Sequence, residues 1–200
     1  RVMVSVNTVA PVPQHAMKYH LNKENYQKSI KILEDFNDYF LFRDVDEEEH
    51  TIEDLKAETR AVCAEKEIDL LVIDYLQLIK FLEKKNDKRL EIGAISRKLK
   101  LFAKELEIPI ILISQLSRAV EARRDKRPML SDLKESGDIE QDADTVLFIY
   151  DTANTRQDGD ENSGYYDNTT EIIVAKARGG QKGSVKMKYY KDTAKFCEVS

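Results

Sequence analysis

The stretch Leu70-Leu71-Val72-Ile73-Asp74 joins a run of apolar residues to an acidic residue at its end. A strand that is apolar on both faces is typical of a sheet that is covered by helices on each side. A second apolar run, Ile110 to Ile113, ends in Ser114-Gln115. Because the residues between the runs predict a helix, and parallel strands need such a crossover, this order favours a parallel sheet.

Amphipathic helices are predicted around these strands. Between the two runs, apolar residues recur at intervals of three and four and form one stripe, made by Ile92, Ile95, Leu99, Phe102 and Leu106. An earlier helix is predicted to begin at Thr51, since Glu53 and Asp54 suit the positive end of a helix dipole. Further upstream, Asn22 is predicted to cap a helix that runs to about Asp35.

Other apolar runs predict additional strands. One is expected from Tyr39 to Phe42 and another from Thr145 to Tyr150. The Gly- and Asp-rich segment from Asp158 to Asn168 is expected to be a mobile loop. After it, the chain predicts an antiparallel ribbon with strands at 171–176, 184–190 and 195–199, and with turns at 179–180 and 192–193.

Length and composition exclude several classes of protein. The chain has 200 residues, of which 42% are hydrophobic and 34% charged, which suits one ordinary domain with a real core. A net charge of −5 excludes a globally basic nucleic-acid coat protein, although a local basic patch is compatible with it. No apolar run is long enough for a membrane span, and the two cysteines form no metal or disulfide pattern, so a reducing cytosol is expected. Because no methionine precedes Arg1, the chain is expected to be cut from a larger protein.

The two strand ends carry the first candidate site. In nucleotide hydrolases, an aspartate placed like Asp74 holds the Mg²⁺ that bridges the β- and γ-phosphates. Gln115, at the end of a neighbouring strand, could donate a hydrogen bond to a γ-phosphate and register its loss. Taken singly, each residue is equally compatible with a purely structural or surface position.

Basic residues mark two further candidate sites. The segment from Ser117 to Pro128 predicts a patch that faces an anion, with Arg118, Arg123, Arg124, Lys126 and Arg127. Lys176 and Arg178, just before Gly179-Gly180, are placed like a finger that enters the phosphates of a neighbouring subunit. A solvated helix end and a solvated turn are the respective alternatives.

Taken together and in order, these segments resemble the replicative DnaB-type DNA helicases. The resemblance covers most of residues 69–190 and is carried by LLVIDYLQLI (70–79), EIGAISRKLKLFAKELEIPIILISQLSR (91–118), DKRPMLSDLKESGDIEQDADTVLFIY (125–150) and EIIVAKARGGQKGSVKMKYY (171–190). It implies an α/β fold of the RecA-like type, with three layers, a mostly parallel central sheet and a C-terminal antiparallel β-ribbon. The chain would be one partial ATPase domain over 1–200, subdivided at 1–68, 69–150 and 151–200.

The resemblance also implies roles for single residues. Asp74 corresponds to the Walker B aspartate and Gln115 to the glutamine that couples the γ-phosphate to the DNA loops. Arg178 corresponds to the arginine finger, with Lys176 as its companion, and both would reach the ATP of the adjacent protomer. A channel loop would bind single-stranded DNA with the help of the basic segment before it, and its residues are Lys134, Glu135, Ser136 and Gly137. Where this chain has Lys134 the family often has arginine, so a bidentate phosphate contact becomes a point charge.

The function implied is ATP-driven 5′–3′ unwinding of duplex DNA at the replication fork. The chain would be part of one subunit of a homo-hexameric ring on single-stranded DNA, with ATP and Mg²⁺ as cofactors and with primase and a helicase loader as further partners. It would work in the cytoplasm of a bacterium or a phage-infected cell, with no membrane. Another RecA-like ATPase, such as a recombination mediator or a regulatory ring, and a non-catalytic module that binds DNA or caps a helicase are the alternatives.

Two elements of the family are absent from these residues. The phosphate loop G-x-x-x-x-G-K-[ST] occurs nowhere in the sequence. Without it, no backbone cradle and no lysine neutralise the β-phosphate. The family's catalytic glutamate, expected upstream of the region aligned with residue 1, is absent as well. The isolated chain is therefore expected to hydrolyse ATP negligibly.

Overall fold

Leu70–Asp74 forms a strand in the computed structural model of the chain, as its apolar sequence predicts. The structure describes residues 2–6, 39–44, 50–81, 87–133, 137–152, 169–190 and 195–199. The chain divides into two units, Arg1–Gln115 and Leu116–Ser200. The helix predicted at 22–35, the loop predicted at 158–168 and the turn predicted at 192–193 lie outside the described residues.

The first unit contains a parallel sheet of four strands. They are β1 (Val2–Val6), β2 (Phe40–Asp44), β3 (Leu70–Asp74) and β4 (Ile110–Leu112). Their order in the sheet is β2-β1-β3-β4, and every pairing is parallel. Strand β1 was missed by the sequence analysis, although Val2, Val4 and Val6 alternate with other residues as strands do. The carboxyl ends of β1, β2 and β3 are in register at Val6, Asp44 and Asp74.

One helix of the first unit begins where the sequence predicts, and a second contains the predicted apolar stripe. Helix α1 (Ile52–Glu65) has Thr51 as its N-cap, and Thr51 and Asp54 form a reciprocal capping box. Helix α2 (Lys88–Leu106) is capped by Asp87, whose side chain accepts from the Arg89 N–H. The core of this unit contains most of the predicted stripe of α2 together with residues of α1 and β3, and its fully buried side chains include Phe102, Ile52, Leu55, Leu71, Leu76 and Ile95. Burial of each such side chain contributes about 1.5–3 kcal/mol.

The second unit contains an antiparallel sheet of four strands. They are β5 (Thr145–Asp151), β6 (Thr169–Ala177), β7 (Gly183–Tyr190) and β8 (Lys195–Glu198), in that spatial order. The predicted ribbon is present, and β5, which the sequence does not distinguish from a parallel strand, pairs antiparallel with β6. The short helix α3 (Gly137–Asp142) precedes β5. Leu133, Val146 and Phe148 form the core of this unit, with Ile173 and Ala175 packed against them.

No helix in the described part of the chain is both long and apolar enough to span a membrane.

Candidate functional site

Asp74 lies at the carboxyl end of β3, between β1 and β4 in the sheet. In parallel sheets ligands bind in the crevice at this end of the strands. The residue is half-buried. Because Ile73 is paired with Leu112 in the parallel register of β3 and β4, the residues that follow Leu112 leave the sheet at the same edge.

The residues after β4 are fastened to those after β3. The Ile113 N–H donates to the Ile73 carbonyl at 2.9 Å, and the Leu76 N–H donates to the Ile113 carbonyl at 2.8 Å. Gln77 continues this connection with its side-chain amide, which donates to the Ser114 hydroxyl at 3.0 Å. Two further hydrogen bonds join the same amide to the backbone of Gln115. Gln115 is therefore held beside the end of β3 while its own side chain is exposed.

The donor set at this edge suits a hard cation such as Mg²⁺. Asp74 offers carboxylate oxygens, the ligand class that Mg²⁺ prefers, and Mg²⁺ is usually held by one or two carboxylates together with substrate phosphates and waters. Among the described residues, no group of three or more His, Cys, Asp or Glu side chains could hold a metal by itself. A single carboxylate that shares the ion with a nucleotide is compatible with both observations.

In the basic segment, Arg123 is bound to a buried carboxylate. Both ends of its guanidinium donate to Asp132, with Nη1 at 2.7 Å from Oδ1 and Nη2 bound to Oδ2. The Met129 N–H also donates to Asp132 at 2.8 Å, and the Ser117 N–H donates to its backbone carbonyl at 3.0 Å. The Arg123 guanidinium holds the pKa of Asp132 below its ordinary range, and Asp132 raises the pKa of Arg123.

Arg127 is also paired within its own unit. Its guanidinium forms an ion pair with Glu171 of β6, which is buried and also accepts from the Ser184 hydroxyl at 3.3 Å. The same guanidinium lies 5.4 Å from the centroid of the Tyr150 ring. The Tyr150 hydroxyl donates to the Asp125 carbonyl at 2.6 Å. Arg127 and Tyr150 thus join the basic segment to the antiparallel sheet.

The basic segment therefore contains two kinds of cation. Arg123 and Arg127 pair with carboxylates, whereas Arg118, Arg124 and Lys126 are exposed and have no carboxylate partner among the described residues. The sequence alone predicts a single DNA-facing role for all of these residues. Of the predicted channel loop, Gly137 begins α3, and Lys134, Glu135 and Ser136 lie outside the described residues.

Lys176 and Arg178 lie near and just beyond the end of β6, as the sequence predicts. Lys176 contacts the carbonyl end of α3, and Arg178 contacts Asp144. Gly179 follows with a φ of 81°, a left-handed conformation that suits glycine and allows the turn toward β7. The structure thus brings the two cations together at one turn of the antiparallel sheet.

Two polar residues with clear structural roles were missed by the sequence analysis. Gln77 lies between Leu76 and Leu78, and Asp132 lies two positions after Leu130 and next to Leu133. A polar residue inside a short apolar run is the signal that could have identified Gln77, whereas Asp132 follows Ser131 and has no such signal. Such a residue must satisfy its hydrogen bonds within the fold if the run is buried.

Comparison with known proteins gives consistent matches along the chain. The family model described as the DnaB-like helicase C-terminal domain matches residues 1–198. The replicative DNA helicase DnaB of Geobacillus stearothermophilus is 45% identical over 149 residues, which are 74% of this chain and 32% of that protein. The DnaB of Rickettsia bellii is 39% identical over 195 residues, which are 90% of this chain and 39% of that protein. The chain thus spans about a third of the length of these curated relatives.

Solved structures match over the whole chain. The structure of a DnaB-like replicative helicase, described together with its interactions with primase, has a TM-score of 0.80 and 29% identity. This chain covers 52% of that protein. A second solved structure, described as an ATPase domain, has a TM-score of 0.79 and 30% identity, and this chain covers 75% of it.

A parallel sheet with an aspartate at the end of an inner strand, together with an antiparallel sheet, defines a RecA-like ATPase domain, and the solved structures confirm this fold class. Within that class, the chain belongs to the family of DnaB-like helicase C-terminal domains.

Proposed function

We propose that this chain is the nucleotide- and DNA-handling part of a replicative helicase that unwinds duplex DNA in the 5′–3′ direction. The observation that carries the proposal is the edge where Asp74 and Gln115 follow neighbouring parallel strands, with Gln115 fixed by Gln77. Membership in the DnaB-like family supports the same function. The working form is a homo-hexameric ring in the cytoplasm of a bacterium or a phage-infected cell.

At the nucleotide, Asp74 would hold Mg²⁺ and Gln115 would contact the γ-phosphate. Bound Mg²⁺ supplies positive charge that offsets the charge developing on the β- and γ-phosphate oxygens. Asp74 suits this role because it is half-buried and lies at the strand end where ligands of such sheets bind. Gln115 suits its role because its backbone is held on both sides while the side chain is exposed.

Lys176 and Arg178 would act on the ATP of the adjacent protomer. Their location at one tight turn places two positive charges at the end of a hairpin, which suits insertion into a neighbouring site. An arginine that stabilises the transition state of phosphoryl transfer contributes a factor of about 10³–10⁵ to the rate. Hydrolysis therefore depends on assembly, since neither residue serves the nucleotide of its own protomer in this scheme.

Single-stranded DNA would bind the loop Lys134, Glu135, Ser136 and Gly137 and the exposed cations of the basic segment. Arg118, Arg124 and Lys126 are suited to phosphate contacts because their charges face solvent. Arg123 and Arg127 belong to the same segment, and their carboxylate pairs suit them to shaping it. Primase and a helicase loader are the further partners of this function.

A forked DNA substrate tests the proposal with the full-length protein. We expect unwinding that requires ATP, Mg²⁺ and a single-stranded 5′ tail, and no unwinding from a 3′ tail alone. Asp74→Asn should abolish both hydrolysis and unwinding. Glu67→Gln, an exposed carboxylate just upstream of β3, is the matched control and should retain both activities. ATP hydrolysis without unwinding would favour another RecA-like ATPase, and DNA binding without hydrolysis would favour a non-catalytic module.

A further inference from the structure

The short helix α3 is contacted by one of the two cations of the proposed finger. Lys176 donates to the backbone carbonyl of Glu140, and its Nζ lies 3.5 Å from that of Gln141. Both carbonyls belong to the last turn of α3, where the helix itself offers no donor to them. The ammonium group therefore acts as a cap for the end of this helix.

Arg178 is fixed by the residue just beyond that helix. Its N–H donates to the Asp144 carbonyl at 2.8 Å, and its Nη1 lies 3.1 Å from Asp144 Oδ1. The side chains of Arg178 and Asp144 are 62% and 54% exposed, so the guanidinium remains accessible to a second ligand. Asp144 thus sets the direction of the side chain without enclosing it.

An irregularity in the sheet occurs immediately before these cations. Val146 pairs with Lys176, but the next residue, Leu147, pairs with Val174, so Ala175 is an extra residue in β6. Such bulges bend a strand and reorient the side chains beside them. Ala175 packs against the core of the unit, which anchors the bulge. The direction of Lys176 is therefore set by the strand and by α3, and that of Arg178 by the strand and by Asp144.

We propose that Asp144 is a positioning residue for Arg178. Its backbone carbonyl accepts from the Arg178 N–H, and its carboxylate contacts the guanidinium, which remains exposed. Asp144 would in this way direct Arg178 toward the nucleotide of the neighbouring protomer. This inference rests on the proposed function.

Steady-state hydrolysis by the full-length protein tests the inference. Asp144→Ala should lower kcat about two- to fivefold, the range that an exposed ion pair supports, and should leave KM for ATP unchanged. In an Arg178→Lys background, which has already lost the guanidinium, Asp144→Ala should lower kcat by a smaller factor, because Asp144 acts through Arg178.

Two variants separate positioning from a general loss of structure. Asp144→Glu keeps the carboxylate and should retain part of the kcat that the alanine variant loses. Glu198 is an exposed carboxylate of β8, and Glu198→Gln should leave kcat unchanged. Asp144→Asn replaces the alanine variant if circular dichroism shows that the latter is unfolded. An unchanged kcat in Asp144→Ala, or equal losses in both backgrounds, would overturn the inference while leaving the proposed function intact. Wild-type hydrolysis by Arg178→Ala would overturn the finger assignment and this inference together.

Discussion

The side-chain amide of Gln77 contacts the backbone of Gln115 through both its oxygen and its nitrogen. Its oxygen accepts from the Gln115 N–H at 3.2 Å, and its nitrogen donates to the Gln115 carbonyl at 3.3 Å. Because Gln77 lies in the 3₁₀ turn Leu76–Leu78, directly after β3, this pairing joins the ends of two adjacent strands. Together with the backbone hydrogen bonds of Ile113, this side chain fixes Gln115, the proposed γ-phosphate sensor, relative to the strand that carries Asp74.

Replacement of Gln77 should uncouple hydrolysis from DNA more than it unfolds the protein. Gln77→Ala removes three hydrogen bonds of ordinary strength, and since each contributes about 1 kcal/mol the fold should survive. We expect faster amide exchange at Gln115 and weaker stimulation of ATP hydrolysis by single-stranded DNA. Gln77→Glu keeps an acceptor for the Gln115 N–H and should retain more of the stimulation. Equal stimulation in all three proteins would remove Gln77 from the coupling path.

Asp132 should be more important for the stability of the basic segment than for DNA contact. Asp132→Ala leaves the Arg123 guanidinium and the Met129 N–H without their acceptor. The free energy of local unfolding should therefore fall by about 2 kcal/mol. Amide exchange of Met129 in the full-length protein measures that loss. Arg124→Ala removes an exposed cation of the same segment and should leave this exchange rate unchanged. Slower or unaltered exchange in Asp132→Ala would contradict the pairing described above.

Low pH should weaken the ion pair between Arg123 and Asp132. The hydrogen bonds from Arg123 hold the pKa of Asp132 below the ordinary value of 3.8, so the folded protein binds this proton less readily than the unfolded chain does. The stabilisation is therefore complete above 3.8 and is lost as the pH falls through the folded pKa. Unfolding by denaturant, measured from neutral pH down to about pH 3, should show a steeper loss of stability in the wild type than in Asp132→Asn. If stability depended on pH equally in the two proteins, protonation of Asp132 would not be linked to unfolding.

The sequence predicts the elements of this fold better than their connections. The strand at Leu70–Asp74 follows from an unbroken apolar run, and the helix at Lys88–Leu106 follows from an apolar stripe, because both patterns supply buried residues to the core of the first unit. The sheet to which Thr145–Asp151 belongs could not be predicted, because its run is apolar on both faces, as in a covered parallel sheet, although Leu147 and Ile149 are exposed in the antiparallel sheet. The division of the basic segment into paired and exposed cations was likewise hidden. Ion pairs such as that of Arg127 with Glu171 join residues that are distant in the chain, and no local pattern records them.

The isolated chain should bind and hydrolyse ATP negligibly. It has Asp74, the proposed metal ligand, but no phosphate loop, so the β-phosphate would lack both its backbone cradle and its lysine. Release of phosphate from ATP by the purified 200-residue chain, with and without single-stranded DNA, is the measurement. Full-length protein assayed in parallel serves as the positive control. Turnover by the isolated chain that rises with added DNA would show that another part of it replaces the phosphate loop.

Lys134 should contribute one phosphate contact to the binding of single-stranded DNA. Binding that releases counterions weakens with salt, and each contact adds about 0.7 to the slope of log K against log salt for a single strand. Lys134→Ala in the full-length protein should lower the affinity and flatten that slope by about this amount. Lys134→Arg, which restores the residue that the family often carries, should keep the slope and strengthen binding through a bidentate contact. Lys182→Ala, an exposed cation in the turn between β6 and β7, is the matched control and should leave the slope unchanged. A slope that is the same in Lys134→Ala as in the wild type would remove Lys134 from the DNA path and leave the contacts to Arg118, Arg124 and Lys126.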